Sequence, residues 1–77
     1  MSADDRTLTV AKVRSREDAD YVEVLFLESA RIYKLPRKQP RFDELLHRLQ
    51  VAEREGQLVN LALASPRSDV IEDVRIP

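Results

Sequence analysis

A basic segment with one tyrosine inside it is the part of the chain whose residue types most plainly suggest chemistry. Five cations and one aromatic ring fall within eleven residues, namely Arg31, Tyr33, Lys34, Arg37, Lys38 and Arg41. Cationic side chains hold phosphates and an aromatic face stacks on bases, so the combination is typical of single-stranded nucleic-acid binding. These six residues are therefore the candidate nucleic-acid site.

An acidic segment directly precedes the basic one and offers a second interpretation. Residues 17–28 carry a formal charge of −5, and residues 29–41 carry +5. If the chain folds back between them, the two sets of charges face each other, and each exposed pair contributes about 0–1 kcal/mol. We favour this structural pairing over nucleic-acid binding.

Catalytic and metal chemistry have few residues to use. The chain has no cysteine, one histidine (His47) and one glycine (Gly56). These counts exclude a thiol nucleophile, a cysteine-based zinc site, a multi-histidine metal site within one chain and a glycine-rich phosphate loop. We predict that the chain is not an enzyme, has no catalytic or metal-binding residues and needs no cofactor.

Length and composition predict one small folded domain. The chain has 77 residues, 43% of them apolar and 35% charged, with a net charge of −1. We assign residues 1–77 to a single domain, with residues 1–6 as a disordered tail. No apolar run approaches the ~20 residues that span a membrane, and the acidic start does not resemble a signal peptide. We therefore predict a cytoplasmic protein that does not contact membranes.

One helix and several strands must position the candidate residues. Apolar residues recur with the 3.6-residue period of a helix over residues 41–55: Phe42, Leu45, Leu46, Leu49 and Ala52. Gly56 lies where a left-handed residue would end that helix. Segments rich in β-branched and aliphatic residues predict strands over residues 7–13, 21–27, 31–35, 58–64 and 70–76.

The stretch of residues 21–35 decides the topology, because it forms either one long strand or a hairpin that reverses at Ser29 and Ala30. A strand of fifteen residues far exceeds the usual length of about 5–6. A hairpin with Glu28 opposite Arg31 instead gives one opposite-charge pair and one aromatic pair. We favour the hairpin, whose inward face then carries Val22, Val24, Phe26, Tyr33 and Leu35.

The hairpin gives the element order β-β-β-α-β-β, which resembles that of the OB-fold, a small five-stranded barrel. A single long strand would give β-β-α-β-β, a four-stranded antiparallel sheet with one helix packed on it. We predict a small mainly-β or α+β single domain, OB-like and barrel-shaped, with the four-stranded sheet as the alternative. The resemblance rests on element order alone and transfers no binding site.

The outward face of the predicted hairpin is apolar for a surface in water. It carries Leu25, Leu27 and Ile32 beside Glu23 and Lys34. Full burial of each aliphatic side chain would stabilise the fold by about 1.5–3 kcal/mol. Because a chain of this length has a thin core, burial inside the domain is the favoured explanation, and burial against a protein partner or a second copy is the alternative.

These observations predict an interaction domain that binds a protein partner or forms a homodimer through the hairpin face. The predicted partner-binding residues are Leu25, Leu27 and Ile32, with Arg31 and Lys34 around them. Pairing along a strand edge is the expected geometry. Single-stranded nucleic-acid binding through residues 31–41 is the alternative function.

Overall fold

Five strands and one helix follow one another in the order β-β-β-α-β-β in the computed structural model, which describes residues 5–77. They are β1 (Asp5–Ser15), β2 (Tyr21–Phe26), β3 (Ile32–Pro36), α1 (Phe42–Glu55), β4 (Leu58–Leu63) and β5 (Ile71–Arg75). The strands form one antiparallel sheet in the order β3-β2-β1-β4-β5, and α1 packs on it. The predicted α+β class and element order are confirmed.

The outer strands β3 and β5 approach each other but do not join along their length. A single parallel bridge joins Lys34 of β3 to Val70, the residue directly before β5. Beyond it, side chains occupy the free edge of β5, because Gln39 and Arg48 donate to its backbone carbonyls. The sheet is therefore not a closed barrel, and the alternative prediction of a helix lying on an antiparallel sheet fits the layers. That sheet has five strands, because residues 21–35 reverse direction.

The reversal between β2 and β3 occurs as predicted, but the pairing differs by two residues. Leu25 lies opposite Ile32 and Val24 opposite Tyr33, whereas a two-residue turn would have placed Leu27 opposite Ile32. The connection is longer because residues 27–31 all lie outside the strands. Since side chains alternate with a period of two, this even shift leaves every side chain on its predicted face.

Strand β1 is longer than predicted because its two halves pair with different strands. Residues 5–9 pair with β4, while the residues from Val10 onward pair with β2. The register shifts between Val10 and Lys12, which is the mark of a β-bulge and bends the strand. The predicted tail is wrong for Asp5 and Arg6, because they pair with Ala62 and Leu61; residues 1–4 lie outside the described part of the chain.

The core fills the space between the inward face of the curled sheet and one stripe of α1. The predicted inward residues of the hairpin are buried, and Phe26 and Tyr33 pack edge to face with ring centroids 5.3 Å apart. From the helix, Leu45, Leu49 and Ala52 are fully buried. The helix also binds the bent strand directly, because the Val13 N–H donates to a Glu53 carboxylate oxygen at 2.8 Å.

The helix ends as the sequence predicts. Gly56 adopts φ 65°, the left-handed conformation, directly after Glu55. Backbone N–H groups at this end donate back to the Ala52 carbonyl, which satisfies an orphan acceptor of the last turn.

The loop between β2 and β3 is tied to β1 by one carboxylate. Glu28 accepts hydrogen bonds from the Thr9 N–H at 2.7 Å and from the Thr9 hydroxyl at 2.6 Å. The hydroxyl bond and then the N–H bond lower the pKa of Glu28 below its ordinary value. The carboxylate form therefore stabilises the folded chain, and Glu28 is bound to β1 rather than to Arg31 as predicted.

Replacement of Gly56 by alanine should destabilise the domain by about 1 kcal/mol, because alanine in a left-handed conformation is strained. The added methyl group itself meets open space, with no atom within 4 Å, so the cost is one of backbone conformation. Urea unfolding measures the loss. Gly56→Asn should lose less, because asparagine tolerates this conformation, and equal losses for the two variants would contradict the explanation.

Glu28→Gln should lower the thermal midpoint at neutral pH, and the difference from wild type should shrink as the pH falls. A carboxylate with a lowered folded pKa contributes stability above its unfolded pKa of about 4.3, and that contribution is lost through the lower folded value. Thermal melts between neutral and acidic pH measure the effect. Glu17→Gln, in the exposed loop after β1, is the matched control; a pH-independent difference for Glu28→Gln would contradict the assignment.

Candidate functional site

An apolar surface lies on the outward face of the sheet, opposite the core. Leu25 on β2 and Ile32 on β3 are direct cross-strand partners. Leu27 and Leu58 flank Thr9 on its two sides, because the Leu27 N–H donates to the Thr9 carbonyl at 3.0 Å and Leu58 is paired with Thr9. These four apolar residues, Leu25, Leu27, Ile32 and Leu58, are called the outer-face patch.

The outer-face patch is open to solvent. Leu27 is 72% exposed, Leu58 48% and Ile32 40%, while Leu25 is half-buried. The favoured expectation, that these hairpin side chains are buried inside the domain, is therefore wrong for Leu27 and Ile32. The reason is topological: α1 covers the inward face, and no other described element crosses the outward one.

Leu58 was missed in the sequence. Its position could have been found from the alternation of Val59, Leu61 and Leu63, which places Leu58 on the opposite face of the same strand. Its approach to Leu27 depends on β1 lying between β2 and β4, and local sequence carries no signal for that.

Charged side chains surround the outer-face patch. Lys12 lies directly opposite Leu25 across the strand pair. Arg31 precedes Ile32 and donates a long hydrogen bond of 3.5 Å to the Arg67 carbonyl. The predicted partner-binding residues all lie on the β2–β3 hairpin and its connecting loop: Leu25, Leu27, Arg31, Ile32 and Lys34.

Lys34 is already engaged with its neighbours. Its Nζ atom lies 3.7 Å from an Asp69 carboxylate oxygen and 5.3 Å from the centroid of the Tyr21 ring. The side chain therefore connects β3 to the loop before β5, and a partner would meet a cation that already has a carboxylate neighbour.

The candidate nucleic-acid residues do not form one surface. Tyr33 is 2% exposed against the Phe26 ring, so its predicted stacking role is wrong: the residue belongs to the core. Arg31 and Lys34 lie on the hairpin, and the exposed Lys38 lies beyond β3. The remaining two cations, Arg37 and Arg41, bind other parts of the fold.

Arg37 fastens the loop between β1 and β2. Its guanidinium donates to the Ala19 and Arg16 carbonyls at 2.8 and 2.5 Å and to the Ser15 hydroxyl at 3.2 Å. It also lies over the Phe42 ring. A shallow depression lined by Asp20, Arg37 and Lys38 is found here, but the donors of Arg37 are directed into the loop.

Arg41 holds the start of α1 through charge. Its guanidinium donates to Glu44 at 2.9 Å and to Asp73 at 3.3 Å, and Arg48 also contacts Glu44. The hydrogen bond from Arg41, more than its charge, lowers the pKa of Glu44, and the same bond raises the pKa of Arg41. The predicted pairing between residues 17–28 and 29–41 is not found among the described ion pairs, because tertiary neighbours supply these partners.

Asp73 connects this cluster to the edge strand. Partial burial raises the pKa of Asp73, but hydrogen bonds from Arg75 and the Val74 N–H, followed by the charges of Arg41 and Arg75, outweigh it. The resulting pKa is below its ordinary value. The carboxylate therefore remains charged and holds β5 against α1.

Both edges of the sheet are occupied by the chain itself. On β5, the Glu72 carbonyl accepts from Gln39 at 3.1 Å and the Val74 carbonyl accepts from Arg48 at 2.6 Å. On β3, the Lys34 N–H donates to the Asp69 carbonyl at 2.8 Å. Because these backbone groups already have partners, strand-edge pairing, which we expected, is disfavoured relative to docking on the outward face.

Neither a metal-binding cluster nor a membrane-spanning helix is found in residues 5–77. Among them, no group of three or more His, Asp or Glu side chains is placed to hold a metal ion. No helix in this part of the chain is long and apolar enough to cross a membrane.

Comparison with known proteins shows that the fold of this chain is similar to part of a solved structure. No family model and no curated protein matches the chain. A crystal structure of pro-protein-glutaminase is similar, with a TM-score of 0.80 and 17% identity over 92% of this chain and 24% of that chain. Its A47Q2 mutant is also similar, with a TM-score of 0.77, 17% identity and the same coverage. The chain thus spans about a quarter of the length of these structures.

This finding corrects the prediction that the chain is not an enzyme. Both similar structures are forms of an enzyme precursor, so the fold does occur within an enzyme's chain. At 17% identity the likeness establishes the fold alone: a five-stranded antiparallel sheet with one helix, of the kind that makes up about a quarter of a longer precursor.

Proposed function

We propose that this chain is a protein-interaction domain that binds a protein partner through the outer-face patch. The observation that carries the proposal is the exposure of Leu27, Ile32 and Leu58 on one face of a domain whose core is already complete. A group of exposed apolar side chains rimmed by polar residues is typical of protein-binding sites.

The domain is large enough to form an interface of the usual size. A stable interface covers about 800 Å² of each partner, which is about a sixth of the 4988 Å² that this domain exposes. The apolar residues would form the centre of the contact, and the charged side chains around them its rim.

The similar solved structures support the proposal at the level of the fold alone. In them, a region of this fold makes up about a quarter of a precursor chain, so the fold occurs joined to further protein. The cytoplasmic location stays a prediction.

Leu27→Ala should change the free energy of unfolding by less than about 0.5 kcal/mol, because the side chain is largely in water. Leu61→Ala, at a fully buried position of β4, should cost about 2–5 kcal/mol. Urea unfolding of both variants makes the comparison. Equal losses would mean that Leu27 belongs to the core, and the proposal would then lack its basis.

Site-specific cross-linking tests the interaction itself. A photoreactive phenylalanine analogue is placed at Leu27 and, as a matched control, at Gln50, which is exposed on α1, the helix on the opposite side of the sheet. Irradiation in the native host should give one discrete protein adduct from position 27 and not from position 50. When Leu58→Glu is added to the variant labelled at position 27, the adduct from position 27 should disappear. Identical adducts from both positions, or none, would refute the proposal; an adduct between two copies would assign self-association.

A further inference from the structure

We infer that the partner presents an acidic protein segment, one that combines apolar side chains with carboxylates. The inference rests on the proposed function and identifies the chemistry of the partner at that same surface. Its basis is the distribution of charge around the outer-face patch, where cations are left without carboxylates.

Unpaired cations lie on two sides of the outer-face patch. Lys12 on β1 is exposed and lies opposite Leu25, and Arg31 is exposed next to Ile32. Neither forms an ion pair with the described side chains of residues 6–77, and the Arg31 guanidinium makes only the long contact with the Arg67 carbonyl. A carboxylate on a partner would therefore gain a cation without breaking an existing pair.

The carboxylates near the outer-face patch are already engaged. Glu23 lies 3.9 Å from Arg14, and Asp69 lies 3.7 Å from Lys34. Glu28 accepts two hydrogen bonds from Thr9. The four neighbouring cations, Lys12, Arg14, Arg31 and Lys34, thus outnumber the three carboxylates, so the surface is locally positive on a chain of net charge −1.

This charge distribution disfavours a second copy as the occupant. Face-to-face contact between two copies related by a twofold axis would bring together two surfaces that each carry a net positive charge. Like-charge juxtaposition of this kind costs affinity. An acidic segment meets the same cations with the opposite sign.

The side chains at the centre favour protein over nucleic acid. They are aliphatic, and aliphatic side chains do not provide a stacking face for bases. Tyr33 is buried in the core, and Tyr21 is half-buried beneath Lys34. A partner with leucine-like side chains between carboxylates matches both the apolar centre and the cationic rim.

Titration of the labelled domain with defined probes tests the inference. The probe is an amphipathic peptide of leucine and glutamate; a peptide of leucine and lysine and a single-stranded oligothymidylate are the comparisons. Backbone amide signals of Leu25, Leu27 and Ile32 should shift with the glutamate peptide at low salt. The glutamate peptide should bind about tenfold or more tightly than the lysine peptide, and added salt should weaken the binding.

Paired variants locate the effect. Lys12→Glu and Arg31→Glu should each weaken binding of the glutamate peptide, while Lys38→Glu, at an exposed cation away from the outer-face patch, should not. Circular dichroism confirms that all three variants are folded.

The possible failures are distinguishable. Equal binding of both peptides, stronger binding of the oligonucleotide, or no shift at these amides overturns the acidic partner. If one of these results is found but position 27 still gives a discrete cross-link to another protein, the acidic partner is wrong and the proposed function is retained. Cross-links between two copies overturn the acidic partner as well, while loss of both the shifts and the cross-link removes both proposals.

Discussion

The bend of β1 is the constraint on which the rest of the structure depends. One half of this strand completes the β4–β5 part of the sheet and the other half completes the β2–β3 part. The bulge between Val10 and Lys12 lets a single strand serve both. Where the strand turns away from β4, the Glu53 carboxylate accepts the Val13 N–H and so fixes the helix to the bend.

This arrangement separates a covered face from an open one. The helix lies inside the curve of the sheet and buries the inward side chains. The outward face receives no covering element among the described residues, so alternation along β2, β3 and β4 places aliphatic side chains in water. The outer-face patch thus results from strands with apolar residues on both faces in a domain with only one helix.

Some charged residues of this small domain bind other parts of the fold, and others remain exposed to solvent. Arg37 donates to backbone oxygens of a loop, and Arg41 joins the start of α1 to β5. Lys12 forms no ion pair with the side chains of residues 6–77, and the Arg31 guanidinium makes a single long hydrogen bond to a loop carbonyl. The composition of the basic segment is therefore a poor guide to binding, because several of its cations satisfy backbone acceptors or tertiary carboxylates and are not available to a ligand.

The sequence alone predicted the helix, the strands and the faces of the hairpin, because helix and strand periodicity are local properties, and it favoured the observed element order over a four-stranded alternative. It also located Leu25, Leu27 and Ile32 on one face, since an even shift in register does not move a side chain across the sheet. Only the tertiary structure decided that Glu28 binds Thr9 and that Leu58 joins the outer-face patch. Each of these depends on which strands lie side by side, and such contacts join residues far apart in the chain whose pairing no local pattern specifies.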